Sequence, residues 1–335
     1  MSGTAPTDRS ANPSRDSATS GIRRWLSPLL AIPTPAIFVA AAALAVILLW
    51  RQGALDEIGG ELAAVHPGIV AMLLGVYATS IFVLGLRWHT LVRMAGGAPD
   101  WTASAEVFLT SVIINYAAPI GLAVPTRAAL TVRDLRLSPG QSGAVVTWEA
   151  ALDIAALAAI SAAWLALGGL DLVQTIAVDG RVLLVVVGAL VLAVLLAAAI
   201  SRMAAVRARV APFTGNLLSG PRRNPQLALL ALVLTATFWG MQIGVMAGLL
   251  GIFGVAPVPS LLAGLMGLPV LIGMLSPVPG GAGVREALMA AVARLDDVPA
   301  GPVILAAVAY RLALFAVTPV VWGAVRAART VLSNR

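Results

Sequence analysis

The chain of 335 residues contains no cysteine and no lysine, and it has only two histidines. The absence of cysteine excludes disulfides, thiolate nucleophiles and cysteine-based metal sites. Only 11% of the residues are charged whereas 59% are hydrophobic, and a water-soluble domain of this size could not bury so much apolar surface. We therefore expect an all-α polytopic membrane protein that binds no metal and no cofactor.

The basic residues give a second exclusion. All 22 of them are arginines, and they are spread over several loops instead of forming one basic face with interleaved aromatic residues. Nucleic acid is therefore not an expected partner. The partners that we expect are the membrane itself and a lipid.

The N-terminal region differs in composition from the rest. Residues 1–31 are rich in Ser, Thr, Pro and Gly, and we predict a disordered cytosolic tail there. This tail is too polar for a cleaved signal sequence, so the first hydrophobic run should be retained as an anchor. We place a transmembrane domain at residues 32–329, with repeats at about 32–168 and 181–325, and a short cytosolic tail at residues 330–335.

Six apolar runs are each near the roughly 20 helical residues that cross a bilayer. They are Pro35–Trp50, Pro67–Leu86, Ala144–Leu167, Val182–Ile200, Leu227–Leu250 and Pro302–Trp322. Two further regions, Trp101–Asp134 and Pro257–Asp297, are apolar but interrupted by Pro, Gly and charged residues. Trp88 is typical of the aromatic belt at a membrane interface.

The distribution of arginine predicts the topology, because cytosolic loops carry an excess of basic residues. Four arginines precede the first run, and Arg87 with Arg93 place the second loop inside. If both interrupted regions dip into the membrane and return to the same side, the five arginines in residues 202–223 also face the cytosol. The sequence thus predicts six transmembrane helices, two re-entrant helical hairpins and two cytosolic termini.

The order span, span, hairpin, span then occurs twice with opposite orientation, which is an inverted repeat of the kind found in transporters. Segment Pro119–Leu130 of the first hairpin aligns with Pro277–Leu288 of the second and shares Pro, Arg, Ala and Leu at the same offsets. We expect Pro119, Pro277 and Pro279 to shape the two hairpins.

Six ionisable residues are predicted within the membrane, where a charge costs at least about 2.5 to 3.5 kcal/mol unless it is paired. They are Arg127, Glu149, Asp153, Arg285, Glu286 and Arg311. In one interpretation these charges lock the helix bundle, with Arg311 paired to Glu149 or Asp153. In the other, the arginines bind an anionic group and the carboxylates orient them or receive a cationic part of the substrate.

Glycines mark the second hairpin. Gly280, Gly281 and Gly283 permit a tight turn, and a helix is predicted to begin near Val284. The free N–H groups and positive dipole end of that helix, next to Arg285, would form an anion site inside the membrane.

Four segments together resemble a known family: "APIGLAVPTRAAL", "TWEAALD", "PVPGGAGVREAL" and "AYRLALF". They are similar to the flippase-like transmembrane domain of lysylphosphatidylglycerol synthases, over about Pro35 to Arg329. The resemblance implies movement of a phospholipid or lipid-linked headgroup between leaflets. The positions that match the family's motifs are Pro119, Arg127, Glu149, Asp153, Pro279, Gly280, Gly281, Gly283, Arg285, Glu286 and Arg311.

The sequence also departs from the family's pattern. Family members often carry an acidic residue a few positions before the arginine of the first hairpin, and Val124 occupies that place here. In full-length members a soluble aminoacyl-transferase domain follows the membrane part. Because the given chain ends at Arg335, we do not expect the synthase activity.

Three functions remain open from the sequence. The first is a flippase-like lipid carrier of a bacterial plasma membrane, not an enzyme, as a homo-oligomer or beside a separate lipid-modifying enzyme. The second is a membrane enzyme that transfers a group onto a lipid, with Glu149 or Asp153 as general base. The third is an accessory membrane subunit without transport activity.

Overall fold

A computed structural model describes residues 65–117, 120–169, 215, 217–276 and 281–333, and the regular elements within these ranges are helices. The helices are α1 (Pro67–Met94), α2 (Trp101–Ala117), α3 (Ile120–Asp134), α4 (Pro139–Trp164), α5 (Pro225–Ile252), α6 (Pro259–Met266), α7 (Leu268–Leu275), α8 (Val284–Leu295) and α9 (Ala300–Ser333). The predicted runs at residues 35–50 and 182–200 lie outside the described residues, as do Pro119, Pro277, Pro279 and Gly280.

Four helices are long and apolar enough to cross a membrane: α1, α4, α5 and α9. They correspond to the four predicted runs that fall within the described residues. Three of them begin with a proline, which has no N–H to leave unpaired at a helix start. In α4 the Ser138 side chain accepts from the backbone of Gln141 while the Gln141 side chain accepts from that of Ser138, so this helix has a reciprocal cap.

Helix α1 is the centre of the described bundle, because it packs against α2, α4, α5 and α9. Its buried face includes Tyr77, Ile81 and Leu91. Helix α5 approaches it closely at Gly248, where an added Cβ would lie 2.4 Å from a methyl group of Leu73. Burial of apolar side chains at these contacts holds the long helices in fixed register.

The first interrupted region forms a helical hairpin from α2 and α3, which pack against each other. Arg127 on the second arm donates to Ser111 on the first arm at 2.8 Å. At the base of the hairpin, the Gln141 side chain of α4 donates to the carbonyl of Ala95, just after α1, at 2.7 Å. The chain therefore leaves α1 and enters α4 at the same place.

The second interrupted region forms a similar hairpin. Its first arm consists of α6 and α7, which meet at Gly267, and its second arm is α8. Gly264 faces Val292 while Gly273 faces Arg285, so the two arms run in opposite directions. Both interrupted regions thus turn back on themselves.

Two expectations about the end of α1 were wrong. Arg87 and Arg93 are not loop residues, because α1 continues to Met94. Arg87 and Trp88 are each only 1% exposed, so Arg87 does not contribute to a cytosolic loop and Trp88 does not lie in an interfacial belt. The helix continues past the apolar run because the arginine finds acidic partners inside the bundle.

Candidate functional site

The described residues contain a buried charge cluster, here called the first cluster, between α1, α3 and α4. It consists of Arg87, Arg127, Glu149 and Asp153. Both guanidinium Nη atoms of Arg87 donate to the two carboxylate oxygens of Asp153, at 2.6 and 2.9 Å. This bidentate geometry is the strongest that an arginine and a carboxylate can form.

Glu149 and Asp153 each have a further partner beside the bidentate pair, and together they neutralise the two arginines. Glu149 accepts from Arg127 on one side and lies 3.7 Å from the Arg87 guanidinium on the other. Asp153 also accepts from the indole N–H of Trp239 on α5, at 3.1 Å. Two arginines thus face two carboxylates, and the first cluster carries no net charge.

Aromatic rings cover the arginine of the first hairpin. The Arg127 guanidinium lies 5.6 Å from the ring centre of Trp88 and 5.4 Å from that of Phe108. With Glu149 and Ser111 already bound, this arginine is held by the protein itself. Its position therefore fits the locking interpretation better than direct contact with a substrate.

A second cluster lies where α8 begins, at the turn of the second hairpin. Gly281 and Gly283 have positive φ angles of 67° and 80°, which residues other than glycine rarely adopt. A Cβ on Gly281 would also lie only 2.6 Å from the carbonyl oxygen of Gly273, so glycine is required there. Helix α8 begins at Val284, as the sequence predicted.

Glu286 anchors this helix start. One of its carboxylate oxygens accepts from the backbone N–H of Gly283 at 2.7 Å, which caps the helix. The other accepts from Arg311 of α9 at 2.6 Å. The expected pairing of Arg311 with Glu149 or Asp153 was therefore wrong, because α9 packs against α8 and brings its arginine to the second hairpin.

Arg285, the neighbour of Glu286, has no carboxylate partner among the described residues. The residue is 8% exposed, and its Nε and Nη2 atoms are buried without a hydrogen-bond acceptor among the described residues. Its guanidinium lies 4.6 Å from the ring centre of Tyr310, and that ring contacts Tyr77 edge to face at 5.4 Å. The second cluster therefore consists of Arg285, Glu286 and Arg311, and among the described residues it has an excess of one positive charge.

The sequence did not single out a third cluster, which joins the first hairpin to the end of α9. Glu106 of α2 is 3% exposed and accepts from both Arg326, at 2.6 Å, and Arg329. A signal was present, since Glu106 is the only acidic residue of α2 and an acid within an apolar helix requires a partner. Arg87 could have been found by the same argument.

The loop after the second hairpin contains a titrating group. Burial, together with the neighbouring Asp297 carboxylate, raises the pKa of Asp296. A raised pKa favours the folded state below the ordinary value of about 3.9, and this contribution is lost as the pH rises through the folded-state pKa. We expect Asp296→Asn to raise the melting temperature slightly at pH 7 and to have no effect near pH 3, as measured by thermal unfolding in detergent. A benefit of the same size at both pH values would contradict this assignment.

Comparison with known proteins places this architecture in a family. No curated protein matches the chain. A family model does match, and it is described as the lysylphosphatidylglycerol synthase TM region, over residues 36–323. The match covers most of the chain, including both hairpins and the first and second clusters, whereas Arg326 and Arg329 of the third cluster lie beyond its end. The protein therefore belongs to the family of lysylphosphatidylglycerol synthase transmembrane regions.

Proposed function

We propose that this protein is a lipid carrier that moves the anionic headgroup of a phospholipid, or of a lipid-linked substrate, between the leaflets of a bacterial plasma membrane. The observation that carries the proposal is Arg285, a buried arginine at the turn of the second hairpin whose Nε and Nη2 atoms have no hydrogen-bond acceptor among the described residues. No covalent step is required, so the proposal does not include an enzymatic activity.

The surroundings of Arg285 favour an anion. A buried guanidinium with unsatisfied N–H groups is costly, and a phosphate oxygen would satisfy them with charge-assisted hydrogen bonds. The start of α8 adds backbone N–H groups and the positive end of the helix dipole. The single excess positive charge of the second cluster would be balanced by one negative charge on the headgroup.

The other predicted site residues are proposed to act in three ways. Glu286 and Arg311 position the arginine by fixing the start of α8 against α9. Arg127, Glu149 and Asp153 hold the first hairpin against α1 and α4. Binding at Gly281 and Gly283 would use backbone N–H groups, because glycine presents no side chain there.

We further propose the complete topology of six spans with two re-entrant hairpins as an inverted repeat. Two features support it. Each hairpin turns back on itself, and each presents an arginine on its second arm, Arg127 or Arg285, toward a small residue of its first arm, Ser111 or Gly273. Irregular backbone and charged side chains at membrane depth are tolerated where protein surrounds them.

The test is headgroup translocation in proteoliposomes that contain fluorescent phosphatidylglycerol. We expect the wild-type protein to expose inner-leaflet label to an external quencher, and Arg285→Gln to lose about tenfold or more of that rate. The expectation follows from the roughly 1.5 to 3 kcal/mol of a hydrogen bond to a charged group. Arg294→Gln is the matched control, because Arg294 lies exposed on the same helix.

Two results would count against the proposal. Equal rates for the wild type, Arg285→Gln and protein-free vesicles would remove the carrier function for this lipid, and the assay would then be repeated with aminoacylated and lipid-linked headgroups. The second result is a change in lipid mass. A carrier returns its lipid unaltered, so a changed mass of the recovered lipid in mass spectrometry would favour the enzyme alternative.

A further inference from the structure

We propose that the same site holds an acyl chain as well as a headgroup, and that the chain lies in an apolar cavity between α1, α5 and α9. The inference rests on the proposed function and specifies its ligand as an anionic diacyl lipid, not a free phosphate. It assigns a binding role to residues that the charge clusters do not include.

The cavity has a volume of about 200 Å³. Ten aliphatic residues line it, and among them are Leu73 and Leu74 of α1, Val245 and Leu249 of α5, and Ala309 and Ala313 of α9. One of the lining residues, Ala316, is exposed, so the cavity opens at the protein surface. A cavity with only aliphatic walls therefore suits several methylene groups and offers no hydrogen bond to water.

Two tyrosine rings connect this cavity with the second cluster. Tyr310 directly follows the cavity-lining Ala309 in α9, and its ring is the one that Arg285 covers at 4.6 Å. Tyr77 lies one turn beyond Leu73 on the same face of α1, and it contacts Tyr310 at 5.4 Å. The ring pair thus lies beside the headgroup site, and both of its helices also line the cavity.

This arrangement matches the chemistry of a phospholipid. The phosphate has one negative charge for the excess positive charge of the second cluster, while the chain has the methylene groups that an aliphatic cavity requires. All three helices around the cavity are candidate membrane spans, so a bilayer around them would supply acyl chains. A free phosphate would use Arg285 and leave the cavity unfilled.

The experiment uses proteoliposomes that contain a phosphatidylglycerol with a photoreactive group in one acyl chain, and a diacylglycerol with the same chain as the headgroup-free probe. After illumination, mass spectrometry locates the labelled residues. We expect phosphatidylglycerol to label the cavity-lining segments of α1, α5 and α9 at least severalfold more than diacylglycerol does. Arg285→Gln should reduce its labelling there to the level of diacylglycerol.

A cavity-filling variant isolates the chain. Ala313→Phe should abolish labelling of the cavity, because the phenyl ring occupies its volume, whereas Ala324→Phe is the control at an exposed position of the same helix. Loss of labelling in Ala313→Phe alone among these two variants would support the inference. Labelling that is equal for both probes and unchanged by Ala313→Phe would overturn it.

The two proposals fail in different ways. If Arg285→Gln stops translocation but the cavity is never labelled, the headgroup site stands and the chain lies elsewhere, which refutes the inference alone. If Arg285→Gln changes neither translocation nor labelling, the headgroup site itself is refuted, and with it the tethered chain.

Discussion

Replacement of Arg87 with methionine is expected to destabilise the protein by about 3 to 5 kcal/mol, the usual cost of removing one partner from a buried ion pair. Arg87 is 1% exposed and binds Asp153 through two hydrogen bonds. Methionine fills much of the same volume, so the loss reports the uncompensated carboxylate and not a cavity. Thermal unfolding in detergent, followed by size-exclusion chromatography, measures the effect.

Two further variants make this test specific. Arg93→Met changes an exposed arginine of the same helix and should leave the melting temperature nearly unchanged. The double variant Arg87→Met with Asp153→Leu removes both charges, and we expect it to recover most of the lost stability. A double variant less stable than Arg87→Met would show that Asp153 contributes through Trp239 and not through the ion pair.

Replacement of Glu286 with alanine is expected to have the second large effect, again about 3 to 5 kcal/mol of destabilisation. Glu286 both caps α8 at Gly283 and neutralises Arg311. Without it, Arg285 of the second hairpin and Arg311 of α9 have no carboxylate between them among the described residues. The same unfolding measurement applies, with hydrogen exchange at the start of α8 as a local readout.

Glutamine at the same position separates the two roles. Glu286→Gln retains an oxygen for the Gly283 N–H but has no negative charge, so its stability should lie between those of the wild type and Glu286→Ala. Equal stability of Glu286→Gln and the wild type would mean that Arg311 does not depend on this carboxylate. In that case the charge count of the second cluster would be wrong.

The helices and the membrane class could be predicted because the length of each hydrophobic run can be read directly from the sequence. Four predicted runs correspond to α1, α4, α5 and α9, and the glycines before Val284 located the start of α8. The ends were less predictable. The predicted second run stopped at Leu86 because Arg87 is charged, whereas α1 continues to Met94 through a pairing that is distant in sequence.

The pairing of the charges could not be predicted at all, because it depends on which helices pack together. The predicted depth of Arg311 in the membrane was compatible with a pairing to Glu149 or Asp153. Because α9 packs on α8, Arg311 pairs with Glu286 instead. The resemblance between Arg127 and Arg285 in sequence likewise concealed a difference. One has a carboxylate partner and the other has none among the described residues.

Helix α9 has a mechanical consequence, since it contacts both hairpins. Tyr310 and Arg311 contact the second hairpin, while Arg326 and Arg329 bind Glu106 of the first. These two regions of contact lie about 25 Å apart along the helix axis, at 1.5 Å per residue. Between them lies Pro319, which has no N–H and so removes one backbone hydrogen bond of the helix. The helix therefore ties the two hairpins together, and its backbone hydrogen-bond ladder is interrupted between the two regions of contact, at Pro319.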